Sequence, residues 1–414
     1  MEEIQKKLKE LYYQSDNCIR CGRCTTVCPT FAVTGKESMV ARGRVRLARE
    51  YVEGNLELSN RLKLYFDLCL GCNACLDICP PRIKTAELLN LIKTEIIQKN
   101  GSPFLDSMLL NMIISRPENF RRAMVLLDIS RKLGINKLFP ATLKDKEKIL
   151  PVVPQKSFKE LYRHQSQRRT GKKHRVGYFT GCLTNTFYPE IAFDTIKVLE
   201  YHNCEVIIPM DTVCCGLPHR TMGYWHDSQR LARKNIELFL KSQVDYIVTD
   251  CGTCGYALKN YTEHFTEPGD IKYARFFSER VFDINEFLVN VTGLKVGNKL
   301  LNGCTATYHE SCHLNRGQKI SLQPREILKA IPGLKYIELP EANWCCGAAG
   351  SFSFKHQDIA RKILEKKISN IGLTEAQYVT AGCPACLIQL DFGRRIFALE
   401  FQVKHPVQLL AESI

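Results

Sequence analysis

The sequence predicts an α+β protein in which a helix-rich N-terminal part precedes two copies of one small α/β domain. Three observations lead to this prediction: two dense cysteine runs between helical patterns, a helical stretch with several prolines after them, and an order of five cysteines that recurs 130 to 132 positions later. We divide the chain accordingly into residues 1–100, a helical connector at 101–172, and two repeats at 173–297 and 298–414.

The number of cysteines determines which chemistry to expect. The chain has 20 cysteines in 414 residues, and no apolar run approaches the roughly 18 residues needed to cross a bilayer. Its charged start, MEEIQKKLKE, has no apolar core of a secretory signal. We therefore expect a cytoplasmic protein. Because cytoplasmic thiols are kept reduced, the cysteines indicate metal or redox chemistry rather than disulfides.

The chain carries a formal net charge of +15, which is unevenly distributed. Basic residues gather in the run 163–175 and at Arg42, Arg44, Arg46 and Arg49. This pattern fits an acidic partner protein or an acidic lipid surface, so peripheral binding to the cytoplasmic face of a membrane is one prediction. A solvated basic surface is the plain alternative, and we expect no nucleic acid as a partner.

The first hundred residues contain the motif C-x2-C-x2-C-x3-C-P twice, a pattern typical of bacterial ferredoxins. Three thiolates of such a run bind three irons of a [4Fe–4S] cluster, and the fourth thiolate comes from the other run. The predicted ligands of the first cluster are Cys18, Cys21, Cys24 and Cys79, and those of the second are Cys69, Cys72, Cys75 and Cys28.

Zinc is the alternative metal, but zinc ribbons use separated C-x2-C pairs and stop at four ligands. Two runs of four cysteines, each followed by proline, favour iron–sulfur clusters. Apolar residues around the runs recur with a helical period, at Ile4, Leu8 and Leu11, and at Leu88, Leu89, Ile92 and Ile96. We expect an elongated, helix-rich version of a two-cluster ferredoxin domain.

Each repeat predicts the order strand, helix, strand, cysteine pair, helix, strand, CxxC and helix. Parallel strands of such a domain would place their cysteines at the carboxyl edge of the sheet. Five thiolates brought together would repel one another without a cation, so additional iron–sulfur clusters are favoured over a vicinal disulfide. The predicted ligands are Cys182, Cys214, Cys215, Cys251 and Cys254 in the first repeat, and Cys312, Cys345, Cys346, Cys383 and Cys386 in the second.

The stretch HESCH, residues 309 to 313, resembles the zinc-protease motif H-E-x-x-H. That motif requires a helix that carries both histidines on one face, with the glutamate activating a metal-bound water. The repeat instead places Cys312 in the position of Cys182, at the end of a strand. His309 and His313 are then hydrogen-bond donors beside the ligands or plain loop residues. We expect packing or surface roles for His219 and His356, and buried structural thiols at Cys204 and Cys304.

The chain resembles the CCG-domain family of iron–sulfur proteins. This family includes the iron–sulfur subunit of glycolate oxidase, a subunit of anaerobic glycerol-3-phosphate dehydrogenase, lactate-utilisation proteins and the catalytic subunit of heterodisulfide reductase. The resemblance covers nearly the whole chain and is carried by CTTVCPTF, ARGRVRLA, CLGCNACLDICPPRIKT, CCGAAGSFSFKH and CPACLIQLDFG. These stretches look most like the glycolate oxidase subunit.

The resemblance implies an oxidoreductase subunit in a hetero-oligomer. Its partner would be an FAD-containing dehydrogenase of a 2-hydroxy acid such as glycolate or D-lactate, and the electrons would pass to a quinone, a membrane acceptor or another carrier. The chain shows no convincing dinucleotide fingerprint of its own. Both five-cysteine sets are complete, as in heterodisulfide reductases, where each is implied to hold a non-cubane [4Fe–4S] cluster. Reduction of a disulfide by this chain is therefore the alternative.

Overall fold

The computed structural model describes residues 2–138, 140, 145–163 and 173–414. Residues 164–172, which make up most of the predicted basic run, therefore lie outside the described residues. The N-terminal part is helical, with α1 (Glu2–Asp16), α2 (Arg23–Val27), α3 (Pro29–Thr34), a 3-10 turn (Glu37–Met39), α4 (Ala41–Val52), α5 (Asn60–Asp67), α6 (Ala74–Ile78) and α7 (Thr85–Asn100). The predicted helices around Ile4 and Leu88 are α1 and α7, and both residues are buried.

The connecting segment is also helical where it is described. It contains α8 (Phe104–Met108), a π-helical turn (Leu109–Ile114), α9 (Pro117–Lys132), a 3-10 turn (Ile135–Leu138) and α10 (Phe158–Tyr162). Its backbone reaches the first cysteine pair, because Cys214 N donates to Ser115 O at 3.3 Å.

The first repeat is a parallel four-stranded sheet with helices between the strands. Its elements are β1 (His174–Tyr178), α11 (Cys182–Phe187), α12 (Pro189–Tyr201), β2 (Cys204–Ile207), α13 (Leu217–Thr221), α14 (Trp225–Lys241), β3 (Tyr246–Thr249), α15 (Gly252–Lys259), a 3-10 turn (Tyr261–His264), α16 (Pro268–Ser278), β4 (Val281–Asp283) and α17 (Ile284–Asn290). The strand order is β2-β1-β3-β4, with Val176 opposite Tyr246 and Thr249 opposite Asp283.

The second repeat has the same architecture. Its elements are β5 (Thr305–His309), α18 (Cys312–Gln318), α19 (Leu322–Ala330), β6 (Lys335–Tyr336), α20 (Phe352–Lys355), α21 (Gln357–Gly372), β7 (Tyr378–Ala381), α22 (Pro384–Ile396), β8 (Gln402–Lys404) and α23 (Pro406–Ser413). The strand order is β6-β5-β7-β8, again parallel. The predicted order of elements is confirmed, but each repeat adds a fourth strand, β4 or β8, that the sequence analysis missed.

The N-terminal part packs against both repeats. Trp225 of α14 is buried in the same apolar cluster as Ile4 and Leu88, and Arg220 pairs with Glu87 at 3.0 Å. On the other side, Asp77 of α6 pairs with Lys319 of the second repeat at 2.7 Å. These contacts fix the two cysteine runs relative to the repeats.

Of the four arginines of α4, Arg44 is not part of the docking patch that the sequence predicts. Arg44 is only 2% exposed, and its guanidinium donates to Tyr65 O at 2.9 Å, Leu68 O at 2.7 Å and Thr30 Oγ1 at 3.1 Å. The others are ion-paired within the domain: Arg42 with Glu37, Arg46 with Glu50, and Arg49 with Asp16. The interpretation of Arg44 as a partner contact is wrong, because this side chain satisfies buried carbonyl groups.

We expect Arg44→Ala to destabilise the N-terminal domain by about 2–4 kcal/mol, because two buried carbonyls lose a charged donor. The urea concentration at which half of the absorbance of the predicted iron–sulfur clusters is lost measures this effect. Arg46→Ala is the matched control, since Arg46 lies on the same helix with a 60% exposed side chain. Equal midpoints for the two variants would contradict the structural role of Arg44.

Candidate metal centres

The first cysteine run lies in a loop that ends in the short helix α2. Gly22 precedes this helix with φ of 80°, which turns the loop so that its cysteines converge. A cavity, which we name the outer cavity, is lined by Cys18, Cys21, Cys24 and Cys79, and also by Cys75, which it shares with a neighbouring cavity. Cys21 is exposed, so this cavity faces the surface.

The second run repeats the geometry, with Asn73 at φ of 57° before the short helix α6. The inner cavity is lined by Cys28, Cys69, Cys72 and Cys75. Cys28 and Cys72 are buried. Each cavity thus contains three cysteines of one run and the last cysteine of the other, which is the grouping that cross-ligation requires.

The cysteines of both repeats meet in a single space, which we name the shared cavity. Its volume is about 210 Å³, and its lining includes the first set (Cys182, Cys214, Cys215, Cys251, Cys254), the second set (Cys312, Cys345, Cys346, Cys383, Cys386) and Cys69 of the N-terminal domain. The carboxyl ends of parallel strands point to one edge of a sheet. In this protein the carboxyl edges of the two sheets face each other.

The repeats are joined at this edge by α15 and α18. Gly252 N donates to Gly382 O at 2.8 Å, and a Cβ on Gly252 would lie 3.1 Å from that same oxygen. Gln318 Nε2 donates to Gly252 O at 2.8 Å. His313 stacks on Tyr256 with ring centroids 4.8 Å apart and an interplanar angle of 4°. These contacts bring the two cysteine sets together.

The inner cavity lies against the second set. Leu68, Leu70 and Cys72 share one buried apolar cluster with Trp344 and Cys345. Burial, and then the nearby Cys345, raises the pKa of Cys72 to about 12. The N-terminal domain therefore adjoins the second repeat through Cys72 and Cys345.

The thiols of the shared cavity influence one another strongly. Hydrogen bonds from the Cys312 and Cys346 thiols hold the pKa of Cys345 well below its usual range. The pKa of Cys383 is lowered in the same way by Cys251, which belongs to the first repeat, and by Cys386.

The atoms in this cavity that could bind a metal are soft sulfur atoms. The hydroxyl of Thr253 lies 3.2 Å from Cys383 Sγ, and the amide N–H of Gly347 donates a hydrogen bond to Cys345 Sγ at 3.4 Å. Thiolates in such number suit iron–sulfur clusters, and hydrogen bonds to sulfur are a usual part of those sites. The residues present therefore fit this group of cofactors.

HESCH is divided between two elements, because β5 ends at His309 and α18 begins at Cys312. The helix that a zinc protease needs across both histidines is not formed. Glu310 is held by Arg325 at 2.6 Å. His309 is buried. One of its ring nitrogens, Cys346 Sγ and Cys386 Sγ all lie within 4.8 Å of one another. Burial lowers the pKa of His309 to about 3, so the imidazole is neutral and able to hydrogen-bond to sulfur.

The remaining predicted residues lie near the sites in different ways. His219 is fully buried between the connector and the first repeat, and its Nε2 lies 2.9 Å from Ser115 Oγ. His356 lines the shared cavity. Cys204 is buried at the start of β2, whereas Cys304 is half-buried, so the expectation of burial holds for Cys204 alone.

Sequence reasoning missed four residues: two that line the shared cavity and two that are buried charges. It did not place Cys69 there, nor Lys93 of α7. It also missed two buried charged side chains, Asp250 and Lys367. An alignment of the repeats could have detected the last two, because Asp250 aligns with Gly382 and Lys367 with Asn235 at the offset of 132.

Two family models match the chain. The model described as a 4Fe-4S dicluster domain covers residues 14–83, and the model described as a cysteine-rich domain, CCG, covers residues 176–259 and 306–391. A Bacillus subtilis protein described as "Probable glycolate oxidase iron-sulfur subunit" is 31% identical over 435 aligned positions, which span 100% of this chain and 97% of that protein.

Other relatives agree with this match. An uncharacterized iron–sulfur protein of Methanococcus maripaludis is 33% identical over 95% of this chain and 70% of its own length. A protein named lactate utilization protein A from Shouchella clausii is 32% identical over 57% of this chain and 98% of its own length.

Among solved structures, a putative Asp/Glu racemase from Yersinia pestis aligns at a TM-score of 0.28 and 11% identity. The alignment covers 58% of this chain and 96% of that chain.

The fold and the cysteine groups define an iron–sulfur protein with a dicluster domain and two repeated α/β domains. More specifically, the chain belongs to the family of iron–sulfur proteins with the CCG cysteine-rich domain, in agreement with the resemblance seen in the sequence.

Metal analysis of single variants separates the two interpretations of HESCH. We expect Cys312→Ser to lower the iron content of anaerobically purified protein, because Cys312 belongs to the second set. His309→Gln should leave iron in place and change only the spectrum, since His309 has no histidine counterpart in the first repeat and glutamine retains a hydrogen-bond donor beside the thiols. Zinc at one equivalent in the wild type, lost in His309→Gln, would contradict the cluster interpretation.

Proposed function

We propose that this chain is the electron-transfer subunit of a flavin-dependent 2-hydroxy-acid dehydrogenase, with glycolate or D-lactate as the substrate of the complex. The observation that carries the proposal is the serial arrangement of the cysteine groups from the exposed outer cavity, through the inner cavity, to the shared cavity. The names of the relatives from Bacillus subtilis and Shouchella clausii support this class of complex.

We assign the eighteen cysteines of these groups as ligands. The outer cavity would hold one [4Fe–4S] cluster and the inner cavity a second, and the first and second sets would each hold a further iron–sulfur cluster. Such clusters supply reversible one-electron chemistry at potentials set by charge, hydrogen bonds and exposure. The protein's own contribution is to keep the groups adjacent, as it does where Cys72 meets Cys345, and to exclude water from the buried thiols.

The flavin is assigned to a partner chain, and the outer cavity is the site where that partner would donate electrons. Cys21 is exposed there, and the neighbouring Ile19 is 66% exposed, which gives the rim an apolar contact surface. The acceptor is a quinone or another carrier. In the described part of the chain, no helix is both long and apolar enough to cross a bilayer.

A second function, reduction of a disulfide by this chain, is favoured by one specific observation. All ten cysteines of the two sets line the same cavity, so a disulfide bound there would adjoin both sets. Two electrons and two protons would convert the disulfide into two thiols there.

The cross-ligation scheme predicts a non-additive loss of iron. Cys18→Ser and Cys79→Ser should each damage the outer cluster, so the double variant should lose little more iron than either single one. The control is Cys18→Ser combined with Cys28→Ser, which removes ligands from both clusters and should give the sum of the single losses. Additive losses in the first pair would exclude shared ligation by Cys18 and Cys79.

The proposed function is tested by anaerobic purification of the tagged chain from its native host. We expect a flavoprotein to copurify, and glycolate or D-lactate to bleach the iron–sulfur absorbance of the complex. Acetate and propionate, which lack the hydroxyl group, are the controls. A chain that purifies without a flavoprotein, and is reoxidised after dithionite reduction by cystine or oxidised glutathione, would reject the first function in favour of the second.

A further inference from the structure

A buried arginine lies beside the inner cavity of the N-terminal domain. Arg44 lines this cavity and is only 2% exposed. Its hydrogen-bond partners among the described residues are the carbonyls of Tyr65 and Leu68 and the hydroxyl of Thr30, and none of these carries a negative charge. A guanidinium stays protonated in proteins, so a fixed positive charge adjoins the inner cavity.

Thr30 connects this arginine to a predicted iron ligand. Thr30 is 1% exposed and lines the inner cavity together with Cys28. Arg44 Nη2 donates to Thr30 Oγ1 at 3.1 Å, and Thr30 Oγ1 lies 3.2 Å from Cys28 Sγ. The three side chains therefore form a buried hydrogen-bond chain that begins at a cation and ends at a sulfur atom.

The direction of this chain follows from its donors and acceptors. The Thr30 hydroxyl has one proton and two acceptors within reach, Met39 O at 2.8 Å and Cys28 Sγ at 3.2 Å. Arg44 can only donate, so its bond to Oγ1 does not use the hydroxyl proton. A Cys28 thiolate that binds iron can only accept, so Thr30 is the donor in that contact. Donation by Arg44 polarises the hydroxyl, which strengthens its bond to sulfur.

The outer cavity is also lined by arginines, but these are in contact with water. Arg20 and Arg23 are exposed, and Arg42 has a 35% exposed side chain that pairs with Glu37. Water, salt and the carboxylate screen these charges. Arg44 acts in a low-dielectric environment, where a charge has a larger effect on its neighbours.

The hydroxyl link is also specific to the inner cavity at the matching position of the two runs. Thr30 follows Cys28 and Pro29, whereas Pro81 follows Cys79 and Pro80. Pro81 lines the outer cavity, and its side chain has no hydroxyl to donate to Cys79. The two cysteine runs therefore supply the same ligands with different hydrogen bonding.

We propose that Arg44 and Thr30 are positioning residues that make the potential of the inner cluster more positive, by stabilising the negative charge added when this cluster is reduced. A fixed cation and a hydrogen bond to a ligand sulfur both favour the more negative redox state. The step concerned is the transfer of one electron from the outer to the inner cluster, in which no bond forms or breaks. This inference rests on the proposed function, because it requires a cluster in the inner cavity.

The test is a redox titration of the full-length protein and its variants, monitored by paramagnetic resonance. The signal that is lost in Cys72→Ser identifies the inner cluster. We expect its potential in Arg44→Gln to become more negative by at least the equivalent of a tenfold change in the one-electron equilibrium, about 59 mV. Arg44→Lys keeps the charge and should restore most of the wild-type potential. Thr30→Val keeps the shape of the side chain without the hydroxyl and should give a smaller shift in the same direction.

Arg46→Gln is the matched control, because Arg46 lies on the same helix with a 60% exposed side chain. Water screens this charge, so its removal should leave the potential unchanged. Equal shifts in Arg44→Gln and Arg46→Gln would overturn the proposal, as would loss of iron from both Arg44→Gln and Arg44→Lys, which would leave Arg44 a structural role alone.

Thr30→Val tests the link to sulfur separately, because it leaves the bonds from Arg44 to the two carbonyls in place. An unchanged potential in this variant would overturn the proposal even if the Arg44 variants lost their clusters. Failure of the proposed function would appear earlier, as a wild-type protein without iron in its N-terminal domain.

Discussion

The architecture depends on the hydrogen bond between Gly252 N and Gly382 O, which holds the carboxyl edges of two parallel sheets face to face. Each strand end brings its own cysteines to that edge, so one interface gathers all ten. The absence of a side chain at Gly252 permits the approach, because a Cβ would lie 3.1 Å from the accepting oxygen. The stacked rings of Tyr256 and His313 form a second contact between the repeats, which supports the same orientation of the two sheets.

Thiolates gathered in one cavity repel one another, and several features of the structure affect the charge of the cysteine-lined cavities. Burial raises the pKa of Cys24, Cys72 and Cys75, while hydrogen bonds from neighbouring cysteines lower that of Cys215, Cys345 and Cys383. A neutral imidazole, His309, lies beside Cys346 and Cys386 without adding charge. Buried lysines hold the loop before each cysteine pair: Lys159 donates to the carbonyls of Met210 and Thr212, and Lys367 to those of Glu341 and Ala342.

Much of the fold and of the candidate sites could be predicted, because cysteine spacing is short-range information. The runs near Cys18 and Cys69 fix the loop geometry within a dozen residues, and the five-cysteine order reveals the repeat directly. The strands β4 and β8 were missed because each has only three residues, too short for a clear alternating pattern. Arg44 was misinterpreted because sequence shows its charge but not its 2% exposure.

The sequence by itself determined the family, the helical and parallel-sheet elements, and the position of Cys312 shortly after a strand rather than within a helix that carries both histidines. These depend on the spacing of the cysteines and the periodicity of the apolar residues, which are read directly along the chain. Only the tertiary structure decided that both cysteine sets share one cavity, that the N-terminal domain adjoins the second set through Cys72, and that Lys367 is buried beside a cysteine pair. Those facts depend on contacts between residues far apart in the chain, and on how much water reaches each charge.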